Sequence, residues 1–310
     1  MFTDIHIKAE SVEESILYPG PRTVDADLLP LAERLLKKCR AIERPDFMIF
    51  DGGEFFRGRR DANTVDGAWY RLRRMPKDPP TIETLPSPLP DAAVRSIMSG
   101  ALTRGGLIYV CGAPGSGKTT TASAAVVSRL TRYGGIAYTI EDPPEMPLNG
   151  WHGKGYCSQT WISGDTAEDW AESFRCALRS QPVATPLILY IGEVRDHECA
   201  KGIVRAASNG YLTIATGFSS DIISGLDSLV RLGGGDMGVG LANVLRLVIH
   251  QKLDGARRAT ATLLASANSA TAVANRIRLG HLNQLQNDIQ YQQNIIRMGA
   301  GDLFEAPGLQ

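Results

Sequence analysis

The chain has 310 residues, of which 43% are hydrophobic and 21% are charged. That length suits two domains of ordinary size, and the composition excludes a disordered, collagen-like or coiled-coil protein. Lys plus Arg and Asp plus Glu both number 33, so the balanced charge gives no support for direct binding of nucleic acid.

The start of the chain predicts a cytoplasmic protein. It contains acids and lacks the basic and apolar segments of a secretory signal. No uncharged apolar run reaches about 18 residues, so we expect no transmembrane segment. We expect reduced thiols, because no two cysteines have the CxxC spacing of a zinc or redox site. The cysteines are Cys39, Cys111, Cys157, Cys176 and Cys199.

Residues 1–76 predict a small α+β domain. Apolar residues recur three and four apart over 28–42, which indicates an amphipathic helix. Short aromatic and β-branched segments at 47–60 and 66–74, interrupted by Gly-Gly and Asp-Gly turns, indicate antiparallel strands. Residues 77–90 are rich in proline, which fixes φ and removes backbone donors, so we expect a linker there.

Residues 91–310 predict a second domain with a mostly parallel α/β sheet. Short apolar segments alternate with helical segments, an order typical of strands joined by crossover helices. The predicted helices are 118–133, 167–180 and 198–208. The predicted strands are 106–112, 136–142, 187–193, 211–217 and 257–264.

A phosphate-binding loop follows the first of these strands. The pattern GxxxxGK[ST] is matched at every fixed position by Gly112-Ala113-Pro114-Gly115-Ser116-Gly117-Lys118-Thr119. We expect this loop and Thr120 to bind the phosphates of ATP through backbone N–H groups and the positive end of the following helix. Lys118 would reach the β- and γ-phosphates, and Thr119 would hold Mg²⁺. The loop alone leaves open ATP hydrolysis, GTP switching and phosphoryl transfer to a small molecule.

Two glutamates follow predicted strands, at the edge of the sheet where ligands of α/β proteins bind. Glu193 comes after the apolar segment Ile188–Ile191, and we interpret it as the catalytic base that deprotonates water. Glu141 ends an earlier strand in the same way. One carboxylate would polarise the water while the other orders the Mg²⁺ shell through bound waters. The sequence leaves open which glutamate does which, and Glu193 could instead form an ion pair at the rim.

These motifs, in this order, resemble those of the type II/type IV secretion and pilus ATPase superfamily, the PilT- and GspE-like motors. The phosphate-binding loop is similar to the Walker A motif of that family, residues 139–145 to its aspartate box and residues 189–196 to its Walker B motif. Residues 209–220 occupy the place of its histidine box. The resemblance covers about residues 50–295, and the combination of boxes is far more specific than a Walker A motif alone.

The last third of the chain extends the resemblance. Residues 241–253 and 273–290 are similar to the downstream helices of the family. The resemblance therefore implies a PAS-like N-terminal domain, a RecA-like ATPase domain with C-terminal helices, and a ring of six subunits with ATP between the two domains.

The resemblance also implies arginines that reach the nucleotide from the N-terminal domain, because the charge on the γ-phosphoryl group must be neutralised. Five arginines lie in the corresponding segments, and Arg71 matches best by register. The alternative is a solvated basic edge strand. The five are Arg57, Arg59, Arg60, Arg71 and Arg73.

The chain departs from the family at two positions of the histidine box. Tyr211 and Phe218 stand where the family has histidines. A phenylalanine ring has no hydrogen-bond donor, so we expect Thr216, Ser219 or the Tyr211 hydroxyl to sense the phosphate. Slow turnover, or dependence on a partner ATPase, follows as an expectation. The sequence has no counterpart of the zinc-binding cysteines of GspE-type members, and we expect much of the C-terminal subdomain of retraction motors to be missing.

Residues 150–161 contain His152 and Cys157, which could suggest a metal or thiol site. No supporting ligand or base recurs at a suitable spacing, so we expect a packing loop there, with Lys154 near a neighbouring subunit.

The resemblance implies a hexameric motor that hydrolyses ATP, with Mg²⁺, to drive pilus assembly or retraction, conjugation or protein secretion. It would associate peripherally with the inner membrane through a platform protein. The main alternative is a regulatory ring subunit that binds ATP and hydrolyses it weakly. A small-molecule kinase would need a lid of arginines that the sequence lacks, and a DNA-translocating motor is disfavoured by the neutral charge.

Overall fold

The computed structural model describes residues 2–162, 166–255, 258–299 and 301–306. Its residues divide into two compact units. The first comprises residues 1–78 and 143–147, and the second comprises residues 79–142 and 148–310. The chain therefore passes from one unit to the other three times, at 78/79, 142/143 and 147/148. Within the described part of the chain, no helix combines the length and apolarity needed to cross a bilayer.

The first unit is an antiparallel sheet with one long helix among its described residues. The spatial order of the strands is β3-β2-β1-β6-β5-β4, and all of the pairs are antiparallel. In chain order the elements are β1 (Asp4–Lys8), β2 (Ile16–Tyr18), β3 (Arg22–Thr23), α1 (Leu29–Arg40), β4 (Asp46–Asp51), β5 (Glu54–Thr64) and β6 (Gly67–Arg74), with short 3₁₀ turns at Val12–Glu14 and Ala26–Leu28.

Helix α1 covers one face of this sheet. Its buried side chains recur at three- and four-residue spacing and are Ala32, Leu35, Leu36 and Cys39. The strands contribute alternate residues to the same core, because successive strand side chains point to opposite faces. These include Ile5, Ile7, Phe47, Phe56 and Leu72, all at most 1% exposed. The other face carries Arg57 and Arg59 of β5 and Arg71 and Arg73 of β6.

The second unit contains an eight-stranded sheet in the order β14-β13-β7-β12-β11-β8-β10-β9. The pairs from β13 to β10 are parallel, whereas β14 and β9 are antiparallel edge strands. Its strands are β7 (Gly106–Gly112), β8 (Gly135–Ile140), β9 (Gly150–His152), β10 (Gly155–Ser158), β11 (Leu187–Ile191), β12 (Leu212–Phe218), β13 (Leu245–Leu253) and β14 (Ala259–Ala265).

The helices of the second unit include the three predicted from sequence, within a residue or two of the predicted ends. They are α2 (Asp91–Ile97), α3 (Lys118–Tyr133), α4 (Ala167–Arg179), α5 (His197–Ser208), α6 (Ile222–Gly233), α7 (Met237–Val244), α8 (Ala272–Arg278) and α9 (Leu285–Arg297), with 3₁₀ turns at Gly100–Arg104 and Leu282–Gln284.

The proline-rich segment 77–90 contains no helix or strand. From residue 79 onward it belongs to the second unit, and Ile82, Leu85 and Leu89 are buried there. The Ile82 backbone N–H also donates to the Ser128 hydroxyl at 2.9 Å. These contacts fix much of the segment on the second unit.

The expectation of a helix over residues 241–253 is wrong. Only its first residues are helical, and Leu245–Leu253 forms the sheet strand β13. This strand pairs with β7 on one side and β14 on the other, so most of its side chains are buried. A run that is buried on both faces shows no helical periodicity, and β-branched Val and Ile favour a strand.

The expectation of a loop over residues 150–161 is also wrong. This segment contains the hairpin β9–β10, and β10 pairs in parallel with β8. The turn between the two strands uses Gly153 at φ +56°, a conformation that glycine adopts without strain.

Candidate nucleotide-binding site

The predicted phosphate-binding loop connects β7 to α3. Every residue of β7 is buried, and α3 begins at Lys118 directly after Gly117. Gly117 has φ +88°, and a Cβ on Gly112 would lie 2.4 Å from the Gln251 carbonyl oxygen. These two positions therefore require glycine, for the turn and for the close approach of backbone respectively. The strand, loop and helix predicted for this motif are confirmed.

Lys118 is held at the loop rather than extended into solvent. Its side chain is only 6% exposed in spite of its charge, and Nζ donates to the Ala113 carbonyl at 2.9 Å. The same Nζ lies 4.3 Å from the centroid of the Phe218 ring, a cation–π contact. Thr119 and Thr120 are half-buried in the first turn of α3.

The loop before Lys118 contains three exposed residues and one buried serine with an unpaired hydroxyl. Ala113, Pro114 and Gly115 are exposed, whereas Ser116 is 5% exposed and its buried Oγ has no hydrogen-bond partner in the structure. Since buried polar atoms are nearly always paired, such an atom beside a helix N-terminus fits a loop built to take up phosphate oxygens.

Gln251, which lies on β13, holds the phosphate-binding loop in place. The sequence alone did not identify this residue. Its side-chain Nε2 donates to the Ser116 carbonyl at 2.8 Å, and its Oε1 accepts from the Thr121 hydroxyl at 2.8 Å. The side chain is 2% exposed. The signal available in the sequence was a polar residue at the end of an apolar run, but it depends on reading that run as a strand parallel to β7.

The ends of β8, β11 and β12 bring the two predicted carboxylates together. Ile140 pairs with Ile191, and Ile191 pairs with Ala215, so the residues after them meet at one edge. A Cβ placed on Gly192 would lie 3.4 Å from the Glu141 Cγ, which shows how closely these strand ends pack. Glu141 is 2% exposed and accepts a hydrogen bond from the Gln159 amide at 2.8 Å.

Glu193 forms an ion pair with Arg195, which agrees with the alternative that the sequence left open for this residue. Its Oε2 lies 2.9 Å from Arg195 Nε and 2.8 Å from Arg195 Nη2, a two-point contact. Arg195 Nη1 also approaches Asp142 Oδ2, at 3.8 Å. Arg195 thus lies between acids from two strand ends and orients the Glu193 carboxylate.

The residues expected to sense the phosphate do not lie together. Thr216 is 1% exposed, and its hydroxyl donates to the Gly192 carbonyl at the carboxylate edge. Ser219 lies at the phosphate-binding loop, where its backbone N–H donates to the Gly112 carbonyl at 3.3 Å. Phe218 pairs with Gly112 in the sheet.

The expectation for the Tyr211 hydroxyl is wrong. Tyr211 precedes β12 and lies at the opposite edge of the sheet, where its hydroxyl donates to the Ala177 carbonyl at 2.7 Å. Burial raises the pKa of this hydroxyl to about 12. Seven residue steps along the strand, about 23 Å, separate it from Phe218.

The N-terminal sheet separates the predicted arginines into two faces. Arg57 pairs across with Arg73, and Arg59 pairs with Arg71, so these four share the face away from α1. Arg60 pairs with the buried Tyr70, which places it on the other face. A ligand that contacts Arg71 from its own face is therefore not contacted by Arg60.

Acidic partners hold most of the arginines on that face. Arg57 Nη1 lies 2.9 Å from Glu145 Oε1, Arg71 pairs with Asp61, and Arg71 Nη1 lies 3.2 Å from His6 Nδ1. Burial and the Arg71 charge lower the pKa of His6. The sheet thus presents arginines in fixed positions.

His152 and Cys157 have structural partners. His152 Nε2 donates to the Leu148 carbonyl at 2.7 Å, and burial raises the pKa of the Cys157 thiol to about 12. Among the residues that the structure describes, no group of three His, Cys, Asp or Glu side chains could hold a metal ion.

A family model described as "Type II/IV secretion system protein" matches residues 64–286. This match covers the strand ends and loops described above. The chain belongs to that family.

Curated relatives agree with the family. YggR of Escherichia coli K12, an uncharacterized protein, is 31% identical over 242 residues, which cover 74% of this chain and 68% of the relative. The type IV pilus ATPase PilU of Pseudomonas aeruginosa is 30% identical, over 69% of this chain and 54% of PilU. The type II secretion system protein HxcR of P. aeruginosa is 37% identical over 41% of this chain, but that match covers only 25% of HxcR.

Solved structures show the same fold. The pilus retraction motor PilT with bound ADP matches with a TM-score of 0.73 and 24% identity, over 96% of this chain and 89% of PilT. The Legionella pneumophila ATPase DotB matches with a TM-score of 0.65 and 20% identity, over 98% of this chain and 89% of DotB. The predicted fold class is confirmed: an α/β, RecA-like P-loop domain preceded by a small α+β, PAS-like domain.

Proposed function

We propose that this protein is an ATP hydrolase of the secretion and pilus motor type. The observation that carries the proposal is a phosphate-binding loop at the end of β7, beside the carboxylates of Glu141 and Glu193 at neighbouring strand ends. Parallel strands bring their carboxyl ends to one edge, where a triphosphate and an attacking water can meet these groups.

Residues of the loop bind and orient the nucleotide in this proposal. Gly112, Pro114, Gly115, Ser116, Gly117 and Thr120 form the cradle, and Lys118 leaves the Ala113 carbonyl to pair with the β- and γ-phosphates. Mg²⁺, held by Thr119 and through water by Glu193, would neutralise charge on the phosphates. The unpaired Ser116 hydroxyl can donate a hydrogen bond to a phosphate oxygen. The Thr119 hydroxyl oxygen is of the ligand type that Mg²⁺ prefers.

Glu193 takes the proton of the attacking water in this mechanism. Arg195 holds the carboxylate in one orientation through its two-point contact, which directs it toward the position of the attacking water. Glu141, held by Gln159, polarises the same region from the adjacent strand end. Arg71, with Arg57, supplies cations from the N-terminal sheet. Thr216, whose hydroxyl donates to the Gly192 carbonyl, contacts the nucleotide in this proposal and links it to Gly192.

We propose further that six copies form a ring and use ATP to drive pilus assembly or retraction, conjugation or protein secretion. The support is family membership and the PilU, HxcR and PilT names among the relatives. The ring would work at the cytoplasmic side of an inner membrane, attached through a platform protein. The domain limits 1–76, 77–90 and 91–310 remain part of this proposal.

A second candidate has a specific observation in its favour. Phe218 offers no hydrogen bond to a phosphate, and its ring contacts the Lys118 ammonium instead. A chain with this arrangement could bind ATP but hydrolyse it weakly, as the regulatory partner of a second ATPase.

One experiment separates the two candidates. Phosphate release by the purified wild-type protein and by Lys118→Ala is measured with ATP and Mg²⁺. The mass of the wild-type oligomer is measured with and without nucleotide. Turnover that Lys118→Ala removes supports the motor. ATP binding without turnover supports the regulatory subunit, and the absence of both nucleotide binding and a ring contradicts the proposal.

A further inference from the structure

A groove separate from the nucleotide site lies between α5 and the turn Gly233–Asp236, which joins α6 to α7. Its volume is about 370 Å³, and Val204 and Met237 supply its apolar surface. This volume is within the range of about 300–1,000 Å³ that is usual for ligand pockets. We call it the α5 groove.

Three basic side chains form one wall of the α5 groove. His197, Lys201 and Arg205 lie four residues apart on α5, so they form a row along one side of that helix. All three are exposed. Asp236 is the single acid among the described residues that line the groove.

Lys201 and Arg205 lack the acidic partners that some surface arginines of the second unit have. Elsewhere on the second unit, Arg175 pairs with Glu172 and Arg231 pairs with Asp227 on their own helices, at 2.6 and 2.7 Å. Within the described part of the chain, neither Lys201 nor Arg205 forms a hydrogen bond or ion pair through its side chain. Their charge is therefore available to a ligand.

The opposite wall allows a peptide backbone to come close. Gly234 and Gly235 have φ values of +62° and +45°, and no side chain projects from either position. His197 Nδ1 lies 2.7 Å from the Leu232 carbonyl and must donate to it, which fixes the ring at the end of the groove. The N-terminus of α7, the positive end of its dipole, begins at the same turn.

The spacing of the basic row selects among anionic ligands. Residues four apart on a helix are separated by about 6 Å along the axis. Alternate residues of an extended chain are separated by about 6.6 Å and point to the same side. Carboxylates at alternate positions of an extended peptide can thus meet Lys201 and Arg205 in register.

We propose that the α5 groove binds an acidic, extended segment of a partner protein, with Asp or Glu at alternate positions. The partner's carboxylates pair with Lys201 and Arg205, and its backbone lies along the glycine turn. Because His197 Nδ1–H is already donated to the Leu232 carbonyl, His197 Nε2 accepts a peptide N–H at one end. The proposal uses no residue of the nucleotide site, so it stands or falls independently of ATP hydrolysis.

The test uses a fluorescein-labelled peptide with the repeat Glu-Ser-Glu-Ser-Glu and a version with Gln in place of each Glu. Binding to the full chain is measured by fluorescence anisotropy without nucleotide, at about 0.1 M salt, where surface charges act over only about 10 Å. We expect the Glu peptide to bind at least about tenfold more tightly than the Gln peptide. The double variant Lys201→Gln, Arg205→Gln should lose about tenfold or more, since hydrogen bonds to charged groups each contribute measurably.

A matched control removes the same charges elsewhere. Lys37 on α1 and Arg297 on α9 are exposed, so Lys37→Gln with Arg297→Gln changes the net charge equally. Unchanged binding by this control supports the groove, whereas an equal loss shows only bulk electrostatics and overturns the proposal. Binding of anionic lipid vesicles through Lys201 and Arg205 without peptide binding also overturns it. So does an effect of the double variant on self-association alone.

Discussion

Replacing Gln251 with alanine should weaken both folding and nucleotide binding, because this side chain fixes the phosphate-binding loop. Two hydrogen bonds are lost, to the Ser116 carbonyl and from the Thr121 hydroxyl, each 2.8 Å long. Together they contribute about 1–3 kcal/mol to stability. The Thr121 hydroxyl, on a residue 1% exposed, is then left buried without its acceptor, which costs about 1 kcal/mol more. We expect a total loss of about 2–4 kcal/mol.

The loss for nucleotide binding is separate from the loss of stability. Gln251 anchors the carbonyl of Ser116 and so fixes the direction of the neighbouring N–H groups of the loop. A loop that is no longer held must be ordered by the nucleotide itself, and we expect the Kd for ATP to rise about tenfold, or about 1.4 kcal/mol. Calorimetric titration of ATP gives the Kd, and thermal unfolding gives the stability.

Gln292 provides the matched control. It is also a fully buried glutamine with two hydrogen bonds, donating to the Ala265 carbonyl at 2.8 Å and accepting from the Ala265 N–H at 2.7 Å. Gln292→Ala should lower the unfolding temperature to a similar degree but leave the Kd for ATP unchanged. If Gln251→Ala and Gln292→Ala bind ATP equally well, Gln251 does not position the loop.

Three further predictions follow from the site. Lys118→Ala and Glu193→Ala should each abolish phosphate release, and full turnover in either variant would contradict the assigned role of that residue. Glu193→Ala should still bind ATP, because the Glu193 carboxylate acts on water. Arg71→Ala should lower turnover at least about tenfold while Arg60→Ala, on the opposite face, leaves it unchanged; equal effects in a phosphate-release assay would refute the role of Arg71. Burial lowers the pKa of His250, so the unfolded state binds its proton more readily and stability falls as the pH drops below about 6.5. Unfolding temperatures between pH 7.5 and 5.5 should therefore fall less in His250→Asn than in the wild type, and parallel curves would contradict this.

Local pattern was sufficient to predict the P-loop and its flanking elements. The apolar run before Gly112 and the helical run after Thr119 each have the composition and length of one element, and the glycines between them allow the positive φ values of a tight turn. Glu141 and Glu193 could be placed at one edge because parallel strands end at the same side.

Contacts between distant segments could not be predicted in this way. The hydrogen bonds from Gln251 to the phosphate-binding loop form only because β13 pairs with β7. The sequence does not predict that pairing, because the periodicity of a fully apolar run cannot distinguish a buried strand from a buried helix. The position of Tyr211 depends on where β12 begins. Tyr211 comes before the first residue of the strand, and Phe218 is its last residue, so the two side chains lie at opposite ends of the strand. Arg195 is two residues from Glu193 in sequence, but its two-point geometry depends on the turn after β11.

The five residues 143–147 constrain how the molecule can be divided experimentally. They follow Asp142 directly, yet their contacts are with the first unit, where Glu145 meets Arg57. A fragment that starts at residue 79 would carry this short segment without the surface it packs on, and its three prolines could not be absorbed into β8. The segment that follows Asp142 would therefore lose its packing in an excised second unit, so measurements on that fragment would not represent the intact chain.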